Sequence, residues 1–345
     1  MKIIDLRSDT VTLPSSDMRQ AIFEAQLGDD VFEEDTSVNL LEKKAAELSG
    51  KEAALLVPSG TMANLISFLV HCPRGTEALL GDKSHTFIYE AGGISAFGGI
   101  HSHQLKNNID GSINLEDIKE AIREDNVHFP KTSLISLENT HNKCFGAPIS
   151  RGYIQDVIHI AHENNLKTHI DGARIFNATV ALNTTLSDLV ADVDSITFCL
   201  SKGLSCPVGS VICGSKDFIY HARRVRKALG GGMRQAGIIA AAGLTALKNA
   251  EDQIKQDHKN AKLLAEGLSS IDNISTELEY VKTNIVYFKL SSNKMESKEF
   301  LKIMEDSGVL FFESLSNQYR LVTHYGITKT DIYDAVEIFK KHLSF

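Results

Sequence analysis

The sequence predicts an α/β fold followed by a smaller α+β domain at the carboxyl end, on two observations. Between Ala53 and about Gly214, short β-prone runs recur with helical stretches or longer loops between many of them. After Gly214 the pattern changes to long helices and then to alternating strands. A chain of 345 residues, 43% of them hydrophobic, also exceeds what one core comfortably holds.

The β-prone runs are, in order, AALLV, EALLG, IHSHQL, SLISLEN, KTHID, SITFCLS and GSVICG. Such short apolar runs suit a mostly parallel sheet buried on both faces. Helical spacing follows Gly60 in TMANLISFLVHC and runs from Ile113 to Glu124, where Ile113, Ile118 and Ile122 share a face. Beyond Gly214 come a basic helix (DFIYHARRVRKAL), a glycine run at 230–232 and GIIAAAGLTALKNA, which is apolar on most faces and therefore expected to be buried, at a subunit contact for example. Past Glu251 a polar amphipathic helix precedes the strands NIVYFKL and YRLVTHYGI and a closing helix from Thr330 to His342. The expected division is a large domain over 1–250, whose first residues (about 15) form an amino-terminal arm, and a small domain over 251–345.

A net charge of −8 and a pI near 5.9, with no clustered Lys or Arg, leave no electrostatic footprint for nucleic acid or an anionic membrane. A small-molecule partner is expected. The opening MKIIDLRSDTVTLP has no apolar signal core, and no later segment is apolar for long enough to span a bilayer, so neither export nor membrane insertion is expected. Five scattered cysteines match neither a disulfide framework nor a zinc site and suit a reducing cytoplasm.

Five places carry candidate chemistry. Lys202 follows the apolar run SITFCLS and precedes a Gly-, Ser- and Pro-containing turn. A lysine there either reaches into solvent or, desolvated and near other cations, becomes a nucleophile toward an aldehyde. Asp171 ends KTHID, with Arg174 three residues on. Strand ends line the ligand crevice of an open α/β sheet, so Asp171 either faces Lys202 there or caps the next helix. Pro58, Ser59, Gly60 and Thr61 open a helix after AALLV, where free N–H groups suit a phosphate. His85 and Tyr89, in GDKSHTFIYEAGG, either stack on a planar ligand or pack locally, and His128, in DNVHFPKT, is a similar case. His101 and His103 alternate on a strand without an apparent third ligand, so no metal is expected. The absence of G-x-G-x-x-G and Walker glycine loops argues against dinucleotide or ATP chemistry.

Together the stretches DLRSDTVT, DDVFEEDTSVNLLE, PSGTMANL, EAGGISAFGG, SLENTHN, IDGARIFNA, FCLSKGLSCPVGS, LGGGMRQAG and RLVTHYGIT resemble the threonine aldolase family, within the aspartate-aminotransferase-like enzymes that use pyridoxal 5'-phosphate (PLP). The resemblance runs almost end to end. It implies a large PLP-dependent-transferase-like domain with a mostly parallel seven-stranded sheet, and retro-aldol cleavage of L-threonine or L-allo-threonine to glycine and acetaldehyde. The same resemblance leaves β-elimination, transamination, racemisation and silent PLP binding as alternatives. It implies that Lys202 holds the cofactor as a Schiff base, that Asp171 pairs with the pyridine nitrogen, that His85 stacks on the ring, and that Gly60 and Thr61 cup the phosphate. Ser8, Arg174 and Arg320 are similar to the groups that hold the substrate carboxylate, Arg174 also touching the cofactor. Tyr89 is placed beside the substrate, and His85 and His128 are the candidate bases for its hydroxyl. Arg234 is expected to approach the cofactor phosphate of a neighbouring subunit in a homotetramer built as a dimer of dimers. Ala63 and CFGAPIS depart from the family's commoner pattern and bear on loop shape.

Overall fold

The computed structural model describes residues 2–291 and 295–343. In chain order, a short strand β1 (Ile4–Asp5) leads to helices α1 (Ser16–Phe23) and α2 (Thr36–Ser49), then to β2 (Ala53–Val57) and α3 (Gly60–His71). Strand β3 (Glu77–Gly81) is followed by the single-turn helices α4 (His85–Ile88) and α5 (Gly93–Ala96), by β4 (His101–Leu105) and by α6 (Leu115–Ala121). Next come β5 (Thr132–Glu138), α7 (Arg151–Glu163), β6 (Lys167–Asp171), α8 (Ile175–Leu182), α9 (Leu186–Leu189), β7 (Ser195–Cys199) and β8 (Ser210–Gly214). The chain continues through α10 (Lys216–Ala228), α11 (Gly237–Ser269), β9 (Ile274–Ser275), β10 (Ile285–Leu290), α12 (Ser297–Asp306), β11 (Val309–Leu310), β12 (Phe312–Leu315), β13 (Gln318–Val322) and α13 (Lys329–Leu343).

Local chemistry sets where these helices start. Asp35, Ser59, Ser150 and Ser215 each accept a hydrogen bond from a backbone N–H in the first turn of α2, α3, α7 and α10. Gly50, at φ 65°, ends α2 in the left-handed conformation that glycine adopts without penalty. The helix expected over 113–124 is shorter, because Asn114 caps it and Ile122 has already left helical geometry. Arg123 is held instead by tertiary contacts, its N–H on Thr132 Oγ1 and its Nε on Glu77.

All seven β-prone runs form one seven-stranded sheet in the order β2-β8-β7-β6-β5-β3-β4. Only β8 runs against its neighbours, so the sheet is mostly parallel as expected. The carboxyl ends of β2, β3, β5, β6 and β7 therefore share one edge. A second, antiparallel sheet in the order β12-β13-β10-β9 packs with α12 and α13 around Phe288, Phe300, Phe311, Tyr319 and Phe339.

Helix α11 joins the two cores. Ala240, Ala242, Ala246 and Ile254 belong to the large core, while Ala261, Leu264, Ala265 and Leu268 belong to the second. The boundary expected at 250/251 falls inside this unbroken helix. The amino-terminal residues Ile4 and Leu6 pack into the second core, where β1 pairs with β11. No helix among the described residues is long and apolar enough to cross a membrane.

Candidate active site

Lys202 lies just past β7, in a turn closed by the Ser205 N–H donating to the Lys202 carbonyl at 2.8 Å. Thr12, from the amino-terminal segment, donates its hydroxyl to the same carbonyl at 3.3 Å. Asp171 ends the adjacent strand β6 and is buried. Its carboxylate accepts from Asn64 Nδ2 at 2.9 Å and from the Ala173 N–H at 3.0 Å. His85 starts α4 beyond β3, with its backbone N–H on Glu138 at the end of β5 and its Nδ1 3.0 Å from buried Glu90. Donor atoms of His85, Glu90 and Asp171 lie within 4.8 Å of one another.

Burial works against protonation of His85. The hydrogen bond to Glu90 and the charge of Asp171 prevail and raise the imidazole above its ordinary value. Burial likewise raises Glu90, and the nearby Asp171 charge adds to it. Tyr89, half-exposed, tilts toward His85 with ring centroids 5.4 Å apart.

Two guanidinium groups form the opposite wall. Arg174 is buried and spends Nε and Nη2 on Asp9, at 2.7 and 2.6 Å. Desolvation alone would raise Asp9, but the Arg174 charge and hydrogen bonds, with help from Lys202 and Arg320, bring it down to about 2. Arg320, on β13, donates Nη1 to Asn142 Oδ1 at 2.7 Å and Nη2 to the Arg7 carbonyl at 3.0 Å. Asn142 Oδ1 also lies 3.4 Å from Arg174 Nη1, so one carboxamide oxygen stands between both cations. Asp9 thus takes the Nε/Nη2 edge of Arg174 and leaves its Nη1/Nη2 end, beside Asn142 Oδ1, for a ligand.

Several of these groups surround one cavity of about 380 Å³, a size suited to a small ligand, and Asp171 lies outside its wall. Ser8, His85, Tyr89, Arg174, Lys202 and Arg320 all line it. Gly60 and Thr61 lie at the start of α3, outside the cavity wall. A Cβ at Gly60 would come within 2.7 Å of Cys199 Sγ, so glycine lets this helix start approach the end of β7.

Two further expected residues also lie outside the cavity wall. His128 is exposed on the loop before β5, at the opposite end of that strand from Glu138, and its chain does not bring it to its own cavity. The reason is topological, since a parallel strand delivers its two flanking loops to opposite edges. Arg234 is half-exposed, ion-paired with Asp29 at 2.9 Å and outside its own chain's cavity. His101 and His103 face Glu77 at 3.6 and 3.3 Å, and Arg123 supplies the cation there.

Residues 5–291 match the model of the beta-eliminating lyases. The chain belongs to the beta-eliminating lyase family. It is 47% identical to a probable low-specificity L-threonine aldolase 2 of Arabidopsis thaliana, over 99% of this chain and 97% of the other. It is 42% identical to the low specificity L-threonine aldolase of Escherichia coli K12, over 99% and 100%. Among solved structures, a threonine aldolase of Leishmania major superposes with a TM-score of 0.81 at 17% identity, over 98% of this chain and 99% of that one, which speaks for the fold.

Members of the family are PLP-dependent lyases, and so is this chain. The residues present fit that cofactor. An amine and a buried carboxylate belong to neighbouring strand ends on one edge, an imidazole sits beside the carboxylate, and a capped helix start approaches from β2. The hydroxyls of Ser205 and Ser210, near the same turn, are buried without a protein partner among the described residues, as groups awaiting a polar ligand would be. Sequence reasoning missed Asp9, Asn64, Glu90 and Asn142. A signal existed for Asn64, a lone amide in the apolar helix TMANLISFLV, because a buried amide requires partners.

Proposed function

We propose that the chain cleaves L-threonine and L-allo-threonine to glycine and acetaldehyde. The observation that carries this reading is one cavity lined by the Lys202 amine, His85 and the paired guanidinium groups of Arg174 and Arg320, with Asp171 beside His85. The threonine aldolase relatives, similar over almost the whole chain, support the choice of substrate.

Bound PLP supplies an aldehyde for an amine and a ring that withdraws electrons from a bond at the substrate α-carbon. Lys202 would be the amine that holds it, Asp171 would pair with the ring nitrogen, and Gly60 and Thr61 at the α3 start would receive the phosphate. Arg320, the Nη1/Nη2 end of Arg174 and Ser8 grip the substrate carboxylate, and that grip decides which α-carbon bond is oriented to break. His85, with Nδ1 committed to Glu90, leaves Nε2 to take the β-hydroxyl proton as the Cα–Cβ bond breaks. Tyr89 borders the same space.

The proposal includes a cytoplasmic homotetramer, a dimer of dimers, in which Arg234 and His128 serve a neighbouring subunit's site. Exposure of both residues, and exposed Phe23, Phe32 and Phe97, support it. It also includes a large and a small domain, with α11 shared between their cores.

The test treats PLP-loaded enzyme with borohydride and maps the labelled peptide, then assays acetaldehyde and glycine from each threonine epimer. Label on Lys202 and products from threonine are expected, and Lys202→Ala should lose both. Retained turnover in that variant, or label elsewhere, would refute the assignment.

A further inference from the structure

Behind Asp171 a line of buried polar side chains runs along α3 and away from the cavity. Asn64 Nδ2 donates to Asp171 Oδ2 and to Glu90 Oε1, each at 2.9 Å. Asn64 Oδ1 receives the Thr197 hydroxyl at 3.0 Å and faces His169 Nε2 at 3.2 Å. His169 Nδ1 lies 2.8 Å from Ser195 Oγ, which in turn lies 2.7 Å from His71 Nε2. His169 and Ser195 are cross-strand partners, as are Asp171 and Thr197, so β6 and β7 set this register.

Hydrogen-bond logic gives every member one direction. Two carboxylates can only accept when ionised, so the Asn64 amide must turn its NH2 toward them and its oxygen toward His169. His169 therefore carries its proton on Nε2. Burial pulls this imidazole down to about 3, and His71 to about 4, so both rings are neutral near neutral pH. The lone pair of His169 Nδ1 then takes the Ser195 hydroxyl, and Ser195 Oγ takes the His71 Nε2 proton. All the dipoles point their positive ends toward Asp171 and Glu90, and aligned hydrogen bonds of this kind strengthen one another. His71, half-buried and stacked on Phe218, ends the line beside a surface cavity at the other end of the sheet. At 1.5 Å rise per residue, the helix between Asn64 and His71 spans about 10 Å.

We propose that Asn64, His169 and Ser195 are positioning residues that hold Asp171 in its charged, ring-facing form. The inference rests on the proposed pairing of Asp171 with the cofactor ring nitrogen. Without His169, the Asn64 amide loses one of the two donors that hold its orientation, and the carboxylate loses part of the polarised N–H that stabilises its charge. The ring nitrogen is then less fully protonated.

The test loads the enzyme with PLP carrying ¹⁵N at the ring and compares the parent, His169→Leu, His169→Gln, Ser195→Ala and Asp171→Asn. In His169→Leu the ring resonance should move toward the unprotonated value, cofactor affinity should fall about tenfold, and kcat should fall more than KM changes. His169→Gln keeps an N–H toward Asn64 and should restore most of the resonance shift and affinity. Ser195→Ala removes a single oxygen, tests the line even if His169→Leu does not fold, and should move the resonance in the same direction by less. Parent-like resonance and affinity in both His169→Leu and Ser195→Ala, or in Ser195→Ala alone if the other does not fold, would overturn the inference. If Asp171→Asn also leaves the resonance unmoved, the ring pairing itself fails and takes the relay with it; if Asp171→Asn moves it while the others do not, the relay alone falls.

Discussion

Replacing Asn142 by Asp puts an anion where the proposed function needs a vacancy for one. Asn142 Oδ1 lies 2.7 Å from Arg320 Nη1 and 3.4 Å from Arg174 Nη1, so the new carboxylate would sit between both cations without a change in shape. Arg174, Arg320 and Asp9 together carry one net positive charge, which suits a single substrate carboxylate. Asn142→Asp brings that sum to zero. Two carboxylates about 4 Å apart repel by up to about 4 kcal/mol at an effective dielectric constant near 20. Because the two guanidinium groups screen part of this, a loss of roughly 2–3 kcal/mol is expected, and KM for threonine should rise about 30- to 150-fold. Steady-state acetaldehyde release by PLP-loaded enzyme would measure it, with cofactor absorbance confirming that the ring site is intact. Asn142→Leu, which deletes the oxygen without adding charge, should raise KM only several-fold. Equal KM values for the Asp and Leu variants would refute a clamp built on charge.

Three other outcomes follow from the same structure. Burial pushes Asp257, on α11, up to about 8, against a hydrogen bond from Gln253 and with Asp9 adding to the rise. Its proton is kept in the folded chain and released on unfolding between about pH 4 and about pH 8, so this residue lowers stability as pH rises, by at most about 1.4 kcal/mol per unit. Asp257→Asn should flatten that slope in urea titrations, and parallel slopes would count against it. Lys51 donates Nζ to the carbonyls of Val190, Ala191 and Val193 at 2.7, 2.8 and 2.6 Å. Lys51→Met should cost about 1–3 kcal/mol in chemical denaturation by orphaning them, and an unchanged midpoint would show that water replaces the amine. Glu90→Gln removes the anion that raises His85, so the acid limb of kcat should shift to lower pH; an unmoved limb would remove His85 from the role of base.

The strands were legible because buried parallel strands read as short apolar runs with turn residues between them. Lys202, Asp171 and His85 were legible as candidates for a related reason, since Asp171 ends a strand, Lys202 and His85 come soon after one, and strand ends share an edge. Asp9 and Asn64 were not. Their meaning lies in partners 165 and 107 residues away, and no local pattern marks such a pairing. Helix α11 is a different case: composition changes from apolar to polar near residue 250, the backbone continues unbroken, and the neighbours change from one core to the other between Ile254 and Ala261.

By itself the sequence determined which segments become strands and helices and which reactive side chains follow them, because periodicity, caps and turn residues act over a few neighbouring positions. The tertiary structure alone decided that Asp9 takes the Nε/Nη2 edge of Arg174, that Asn142 stands between the two cations and that His128 lies at the far edge from its own cavity. Hydrogen bonds and charge pairing act through space, and their partners exist only once the sheet has set its strand order and register.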